Sequence, residues 1–312
     1  MHQSVPQLAA LVTHALPGAT LHTATPLGAR TSLLHLGDGR RVVVRSSASP
    51  DPWAGDPVRA EVAALRVLQA EVDLPVASVL ACATDTAGEP FALLAYLEGT
   101  PLSQVATQLT ASDLYTIGRD LGSLLTRVHS YTTDHYGTLD QAHHWQRSTP
   151  PANPSVVGED VAYLHQRLRR AWTQPPLDPQ CQQLVAAWLA APLPTSGQAA
   201  VLTHGDLQPD RILVRRRTEG WHLAGLVGWG FAQAWRPGWD HTILLAATAD
   251  PGGAAPWPYF DLRTGYGIAY DAGTERRYDQ VRDLALLPYR LIFYSEAGRT
   301  DLVASLLATT DH

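Results

Sequence analysis

The chain has 312 residues, of which 45% are hydrophobic and 17% charged, and a formal net charge of -6. That length can bury a large core and is enough for two lobes, while the acidic balance gives no basis for nucleic acid as a partner. All 23 positive residues are arginine, so no lysine can serve as a point charge on phosphate or as a Schiff-base nucleophile. A phosphate grip would have to come from arginine, helix N-termini or backbone amides.

Leu8, Leu11, Val12 and Leu16 recur at helical spacing. The stretch lacks a basic start and a long apolar run, and reads as a helix rather than a signal peptide. Gly28, in Thr25-Pro26-Leu27-Gly28-Ala29-Arg30, reads as an ordinary turn. Leu33 to Leu36 and Val42 to Arg45 flank Gly37-Asp38-Gly39, a hairpin signature with an Asp-Gly turn. Asp56-Pro57 opens a helix with an N-cap and an N1 proline. Ser112 to His129 carries Leu114, Ile117, Leu121, Leu124, Leu125 and Val128 on one face, the pattern of a long amphipathic helix. Ser148 to Pro154 and Asp250 to Tyr259 are loops rich in proline. Short strands are expected around 212–214 and 222–227, with helical periodicity dominating the rest after Gly99.

Cys82 and Cys181 are too few and too far apart for a disulfide framework or a zinc site. They read as buried free thiols in a reducing cytoplasm. His143-His144 cannot aim two rings at one metal. No stretch reaches the roughly 18 apolar residues of a membrane span. Oligomeric state leaves no mark on the sequence.

The most informative stretch is His204-Gly205-Asp206-Leu207-Gln208-Pro209-Asp210-Arg211, running into Ile212-Leu213-Val214. Its spacing is that of a kinase catalytic loop, in which an Asp orients the attacking hydroxyl and an Asn five residues further on holds magnesium. It resembles the loop His-Gly-Asp-Leu-x-Pro-x-Asn-Ile-Leu-Val of the aminoglycoside phosphotransferase and choline kinase-like family. The resemblance continues at Gly225-Leu226-Val227-Gly228-Trp229-Gly230, similar to that family's Gly-(Val/Leu)-Ile-Asp-Trp strand, and at Trp239-Asp240-His241, similar to the helix whose Asp supports the loop. Upstream, Leu93-Leu94-Ala95-Tyr96-Leu97-Glu98-Gly99 is similar to the hinge between the lobes.

This resemblance implies an α+β, bilobal, protein kinase-like fold. Residues 1–98 would form a small lobe with an antiparallel sheet, and residues 99–312 a mainly helical lobe. It implies ATP as the nucleotide, phosphoryl transfer to a small-molecule hydroxyl, and a small molecule as the partner. Asp206 would take the catalytic position, against the alternative of a loop-capping aspartate. His204 and Asp240 would support the loop. Arg45 falls at the place of the phosphate-gripping strand lysine and Glu61 at its carboxylate partner; a surface arginine and a helix-face glutamate are the competing reading. Tyr96 lies on the hinge that receives the nucleobase. Trp221 and Trp229 read as core, whereas Trp235 and Trp239 fit either core or an aromatic wall.

Two positions depart from the pattern. Arg211 stands where the metal-binding Asn belongs, and Gly228 where the metal-binding Asp belongs. Magnesium needs hard oxygen ligands; glycine offers none and arginine offers only donors and a positive charge. The sequence therefore favours a member whose transfer is degenerate or lost, keeping a cleft for a nucleotide or another phosphorylated molecule, with Arg211 able to pair with phosphate directly. The alternative is an active enzyme with relocated ligands, for which Asp210 is the substitute. A purely structural protein is a third class.

Overall fold

The computed structural model describes residues 4–28, 30–47, 56–70, 73–85, 88–134, 137–139, 145–147, 200–235, 237, 239–241, 243 and 244. The stretches 148–154 and 250–259, the histidine pair at 143–144 and Cys181 lie outside them.

The fold is bilobal and α+β. Helix α1 (Val5–Ala15) precedes β1 (Leu21–Gly28), β2 (Thr31–Leu36) and β3 (Arg41–Ser46); then come α2 (Pro57–Leu68), β4 (Val79–Thr84) and β5 (Pro90–Ala95). The strands form one antiparallel sheet in the order β1-β2-β3-β5-β4. The β2–β3 turn runs through Gly39 at φ 85°, with Asp38 accepting the Arg40 amide at 3.0 Å. This is the Asp-Gly signature at work.

Strand alternation explains how the sheet serves two cores. Val42 and Val44 of β3 and Phe91 and Leu93 of β5 pack with Leu8, Leu11 and Val12 of α1. Val43, Ala92 and Leu94 point the other way, into the core that holds α2. Side chains two apart share a face, so Arg45 shares the α2 face with Val43. On α2 the buried stripe is Val58, Glu61, Leu65 and Leu68, spaced three and four apart. The second member of that stripe is a carboxylate. Asp56 caps the helix, accepting the amides of Val58 at 2.9 Å and Arg59 at 3.4 Å, with Pro57 at N1.

After the hinge come β6 (Thr100–Pro101), α3 (Leu102–Val105) and α4 (Ala111–Val128). Thr110 and Asp113 close a capping box on α4, and burying each of Leu121 and Leu125 contributes about 2 kcal/mol. The strand content beyond this point exceeds the sequence expectation of a lobe interrupted by two short strands. β7 (Tyr131–Thr133), β8 (Gly137–Thr138), β9 (Gln146–Arg147), β10 (Ala200–Thr203) and β13 (Gln233–Trp235) form a sheet in the order β8-β13-β10-β7-β9. β11 (Ile212–Arg217) and β12 (Gly220–Leu226) pair with each other and with β6. Strands of two to four residues are too short to show a period-2 pattern.

The lobes meet at close quarters. Val76 bridges to Leu226, and the Leu226 amide donates to the Pro75 carbonyl at 3.2 Å. Trp229, Trp235 and Trp239 are buried, and Trp221 packs against the main core. Cys82 is exposed, which corrects the expectation of a buried thiol. It lies on the edge strand β4, whose alternation turns Ala81 and Ala83 toward the core and Cys82 to solvent. No helix among the described residues is long and apolar enough to cross a membrane.

Candidate functional site

β10 delivers the chain into the loop His204–Arg211, and the first three residues of that loop are held from several sides. The buried Asp240 carboxylate accepts the amides of His204 at 2.8 Å and Gly205 at 2.9 Å, and meets His129 Nε2 at 3.1 Å. Trp239 Nε1 donates to the Gly205 carbonyl at 3.3 Å. Burial would raise the Asp240 carboxyl, but the hydrogen bond and charge of His129, with the His204 amide, outweigh it and hold the group below the ordinary aspartate range. Gly205 sits at φ 79°, and a Cβ there would overlap the Phe231 carbonyl. Only glycine fits both constraints.

His204 is assigned as a neutral imidazole by its contacts. Its Nε2 lies 3.1 Å from the Val227 carbonyl, an acceptor, while its Nδ1 takes the Asp206 amide at 3.3 Å. One ring nitrogen must donate and the other accept, which is the neutral tautomer. Burial pushes its pKa down, against the pull of Asp240 and Asp206. The ring packs on Trp229 with centroids 4.6 Å apart. His204 is placed to orient the backbone at Asp206 rather than to carry a proton.

Asp206 has both carboxylate oxygens engaged. Oδ1 accepts from Gln208 Nε2 at 2.6 Å, and Oδ2 from Arg211 Nε at 3.2 Å. The side chain of Arg211 then runs across Gly228. Gly228 has φ 83°, and a Cβ there would stand 2.7 Å from Arg211 Cδ and 3.0 Å from its Nε. Arg211 thus fills the space that a side chain at 228 would need. The two departures from the family pattern are one steric unit.

Arg45 and Glu61 meet across the small lobe. Arg45 Nε lies 2.9 Å from Glu61 Oε2, and its Nη1 reaches Oε1 at 3.5 Å. Oε1 also accepts the Trp229 amide at 3.2 Å. Burial pushes the Glu61 carboxyl above the usual range, and Arg45, the Trp229 amide, Arg211 and the Gly228 amide only partly offset it. Arg45, Glu61, Arg211 and Asp206 therefore form an alternating series of charges around Gly228.

Other residues named from the sequence lie outside this series. The ring of Tyr96 lies under the Arg41 guanidinium, 4.4 Å from its centroid, and Arg41 also pairs with Glu98. Asp210 is exposed and its carboxylate takes the Ser103 hydroxyl of α3. Gly28 ends β1 with open space around it. Three participants were not singled out in the sequence: Gln208, His129 and the Trp229 amide. Gln208 had a local signal, two residues after Asp206. The Trp229 amide had none, being 168 residues from Glu61.

The donor set does not suit magnesium. Position 228 has no side-chain oxygen, position 211 is a cation, and the nearby carboxylates of Asp206 and Glu61 already face arginines. Among the described residues no group of three or more His, Cys, Asp or Glu could hold a metal ion.

The sequence model of the phosphotransferase enzyme family matches residues 24–283. Among solved structures, the GDP complex of wild-type aminoglycoside 2'-phosphotransferase-IIIa is similar at 15% identity and TM-score 0.66, over 98% of each chain. The ternary complex of a thermostable mutant of aminoglycoside phosphotransferase APH(4)-Ia with ADP and hygromycin B is 11% identical, with TM-score 0.61 over 98% of this chain and 99% of that one. A protein assigned as a fructosamine-3-kinase from Thermobifida fusca YX-ER1 is 18% identical, with TM-score 0.56 over 98% and 100% of the two chains. At these identities the likeness shows the fold. No curated protein sequence matches the chain significantly.

Proposed function

The chain belongs to the phosphotransferase enzyme family, and from that premise we propose that it binds a nucleotide or another phosphorylated molecule between its lobes while its phosphoryl transfer is slow or lost. We take residues 1–98 as the nucleotide-side lobe and the remainder as the lobe bearing the loop. The observation that supports this reading is the Asp206–Arg211 contact at 3.2 Å, made by a side chain packed over Gly228. An aspartate that must orient an incoming hydroxyl needs a free carboxylate oxygen within hydrogen-bond reach of it. Here both oxygens already have partners in the protein. Arg45 and Arg211 would supply the positive charge for phosphate oxygens, and ATP is the nucleotide to test first.

A second reading is favoured by Asp206 itself, which keeps its place at the head of a rigid loop: an active small-molecule kinase that draws Arg211 aside when substrate binds. The relocation of a metal ligand to Asp210 would require that carboxylate to leave Ser103. A transfer assay separates the two. Purified protein is given ATP, magnesium and a panel of small hydroxyl compounds that includes an aminoglycoside, choline and a ketosamine. The expected result is no transfer above background for the parent, with nucleotide hydrolysis gained by the double variant Arg211→Asn/Gly228→Asp. Magnesium-dependent transfer by the parent, abolished by Asp206→Ala, overturns the proposal in favour of the second reading.

A further inference from the structure

We propose that Arg211 is a cation built into the cleft at the place of the metal ion, so that the site takes phosphate free of magnesium and magnesium opposes binding. The inference rests on the reading of this cleft as a phosphate site, and it adds which form of phosphate is taken.

Three observations converge on Arg211. First, its position is specified by the backbone beneath it: Cδ and Nε lie over Gly228, where a Cβ would stand 2.7 and 3.0 Å away. Second, only its Nε is used by Asp206. Among the described residues no hydrogen bond engages Nη1 or Nη2, and the side chain is 41% exposed. The planar fork is thus anchored at its base and open at its tip, which is the geometry for two parallel hydrogen bonds to a pair of phosphate oxygens. Third, the charge reaches both neighbouring carboxylates, pairing with Asp206 and acting on the buried Glu61.

Magnesium on a phosphate chain occupies the same oxygens and brings two further positive charges. It would face a guanidinium at contact distance, where like charges repel by several-fold more than in bulk water. It would also find no replacement oxygen at Gly228, and Asp206 and Glu61 already face arginines. A metal-free phosphate meets none of these obstacles.

Isothermal titration with ATP, once in EDTA and once in saturating magnesium chloride, measures the effect on the full chain. The parent is expected to bind ATP in EDTA about ten- to a hundredfold more tightly than in magnesium, the worth of hydrogen bonds to a charged group. Tripolyphosphate should show the same order. Arg211→Met and Arg211→Gln remove the charge at nearly constant length; both should lose binding in EDTA and with it the antagonism by magnesium. Circular dichroism confirms that at least one of them is folded. Affinity that rises with magnesium, absence of ATP binding in EDTA, or antagonism that persists in a folded variant overturns the inference. Transfer activity bears only on the proposed function, so the two can fail separately.

Discussion

The backbone amide of Trp229 donates to Glu61 Oε1 at 3.2 Å, so a buried carboxylate of the small lobe holds the turn that follows β12 in the large one. Arg45 closes the same carboxylate from the sheet side at 2.9 Å. The placement of Gly228, and therefore of Arg211, depends on this cross-lobe contact.

Arg45→Met should cost about 3 kcal/mol of stability, because removing one partner strands a buried charge. Urea unfolding at pH 7 measures it. A loss below roughly 1 kcal/mol would mean that the pair acts like an exposed one.

Glu61→Gln should behave oppositely. The Glu61 carboxyl is pushed up by burial, so the stability of its neutral form is fully present below the unfolded value of about 4.3 and is lost as pH rises through the folded pKa. The amide is neutral throughout and keeps an oxygen for the Trp229 amide. Arg45 is 27% exposed and can be hydrated when left alone, whereas ionised Glu61 is 2% exposed, so the variant should be neutral to about 1 kcal/mol more stable than the parent at pH 7. Its advantage should shrink toward pH 4, and a constant difference across that range would contradict the argument.

Asp240→Asn should cost about 3 kcal/mol, since the amides of His204 and Gly205 donate to different carboxylate oxygens and asparagine turns one of these into a donor. Asp240 is held below the ordinary range, so its contribution is present above the unfolded value of about 3.9 and disappears as pH falls through the folded pKa. The parent and the variant should therefore converge in strong acid. Parallel stability curves down to that limit would place the anchoring elsewhere.

Gly228→Asp alone should destabilise by about 2 kcal/mol through overlap with Arg211 and a side chain forced to positive φ. Adding Arg211→Asn should recover at least about 1 kcal/mol in a double-mutant cycle. Additive effects would show that the two side chains do not share the space.

Gly205→Ala should prevent folding or destabilise by about 4 kcal/mol or more, because its Cβ would overlap a backbone oxygen and its φ is 79°. Soluble expression and thermal midpoint read this directly. An alanine variant within a few degrees of the parent would show that Phe231 can move aside.

Local chemistry made much of the small lobe and the first long helix of the large one legible. The Asp38-Gly39 turn, the Asp56-Pro57 helix start and the apolar face of α4 each follow from neighbours within a few residues. The family resemblance rested on the ordered set of motifs, and the family match spans residues 24–283. The sheet of β7, β8, β9, β10 and β13 was not legible, because its pairings join short strands far apart in the chain, as in Val201 with Thr132. Cys82 departs from the buried-thiol expectation because edge-strand exposure depends on what lies beside the strand. Of the named site residues, Arg45, Glu61, Arg211, Asp206, His204 and Asp240 lie in one connected region, while Tyr96 and Asp210 have partners elsewhere. The Arg211 side chain lying over Gly228 depends on two backbones meeting, which residue types alone do not encode.

That crossing ties what one position tolerates to what the other carries. Arginine at position 211 needs an empty position 228, whereas glycine at 228 is compatible with the asparagine that the family pattern carries at 211. With Arg211 in the gap, a single change at 228 meets an occupied space, and restoring the family pair without that overlap takes both substitutions together.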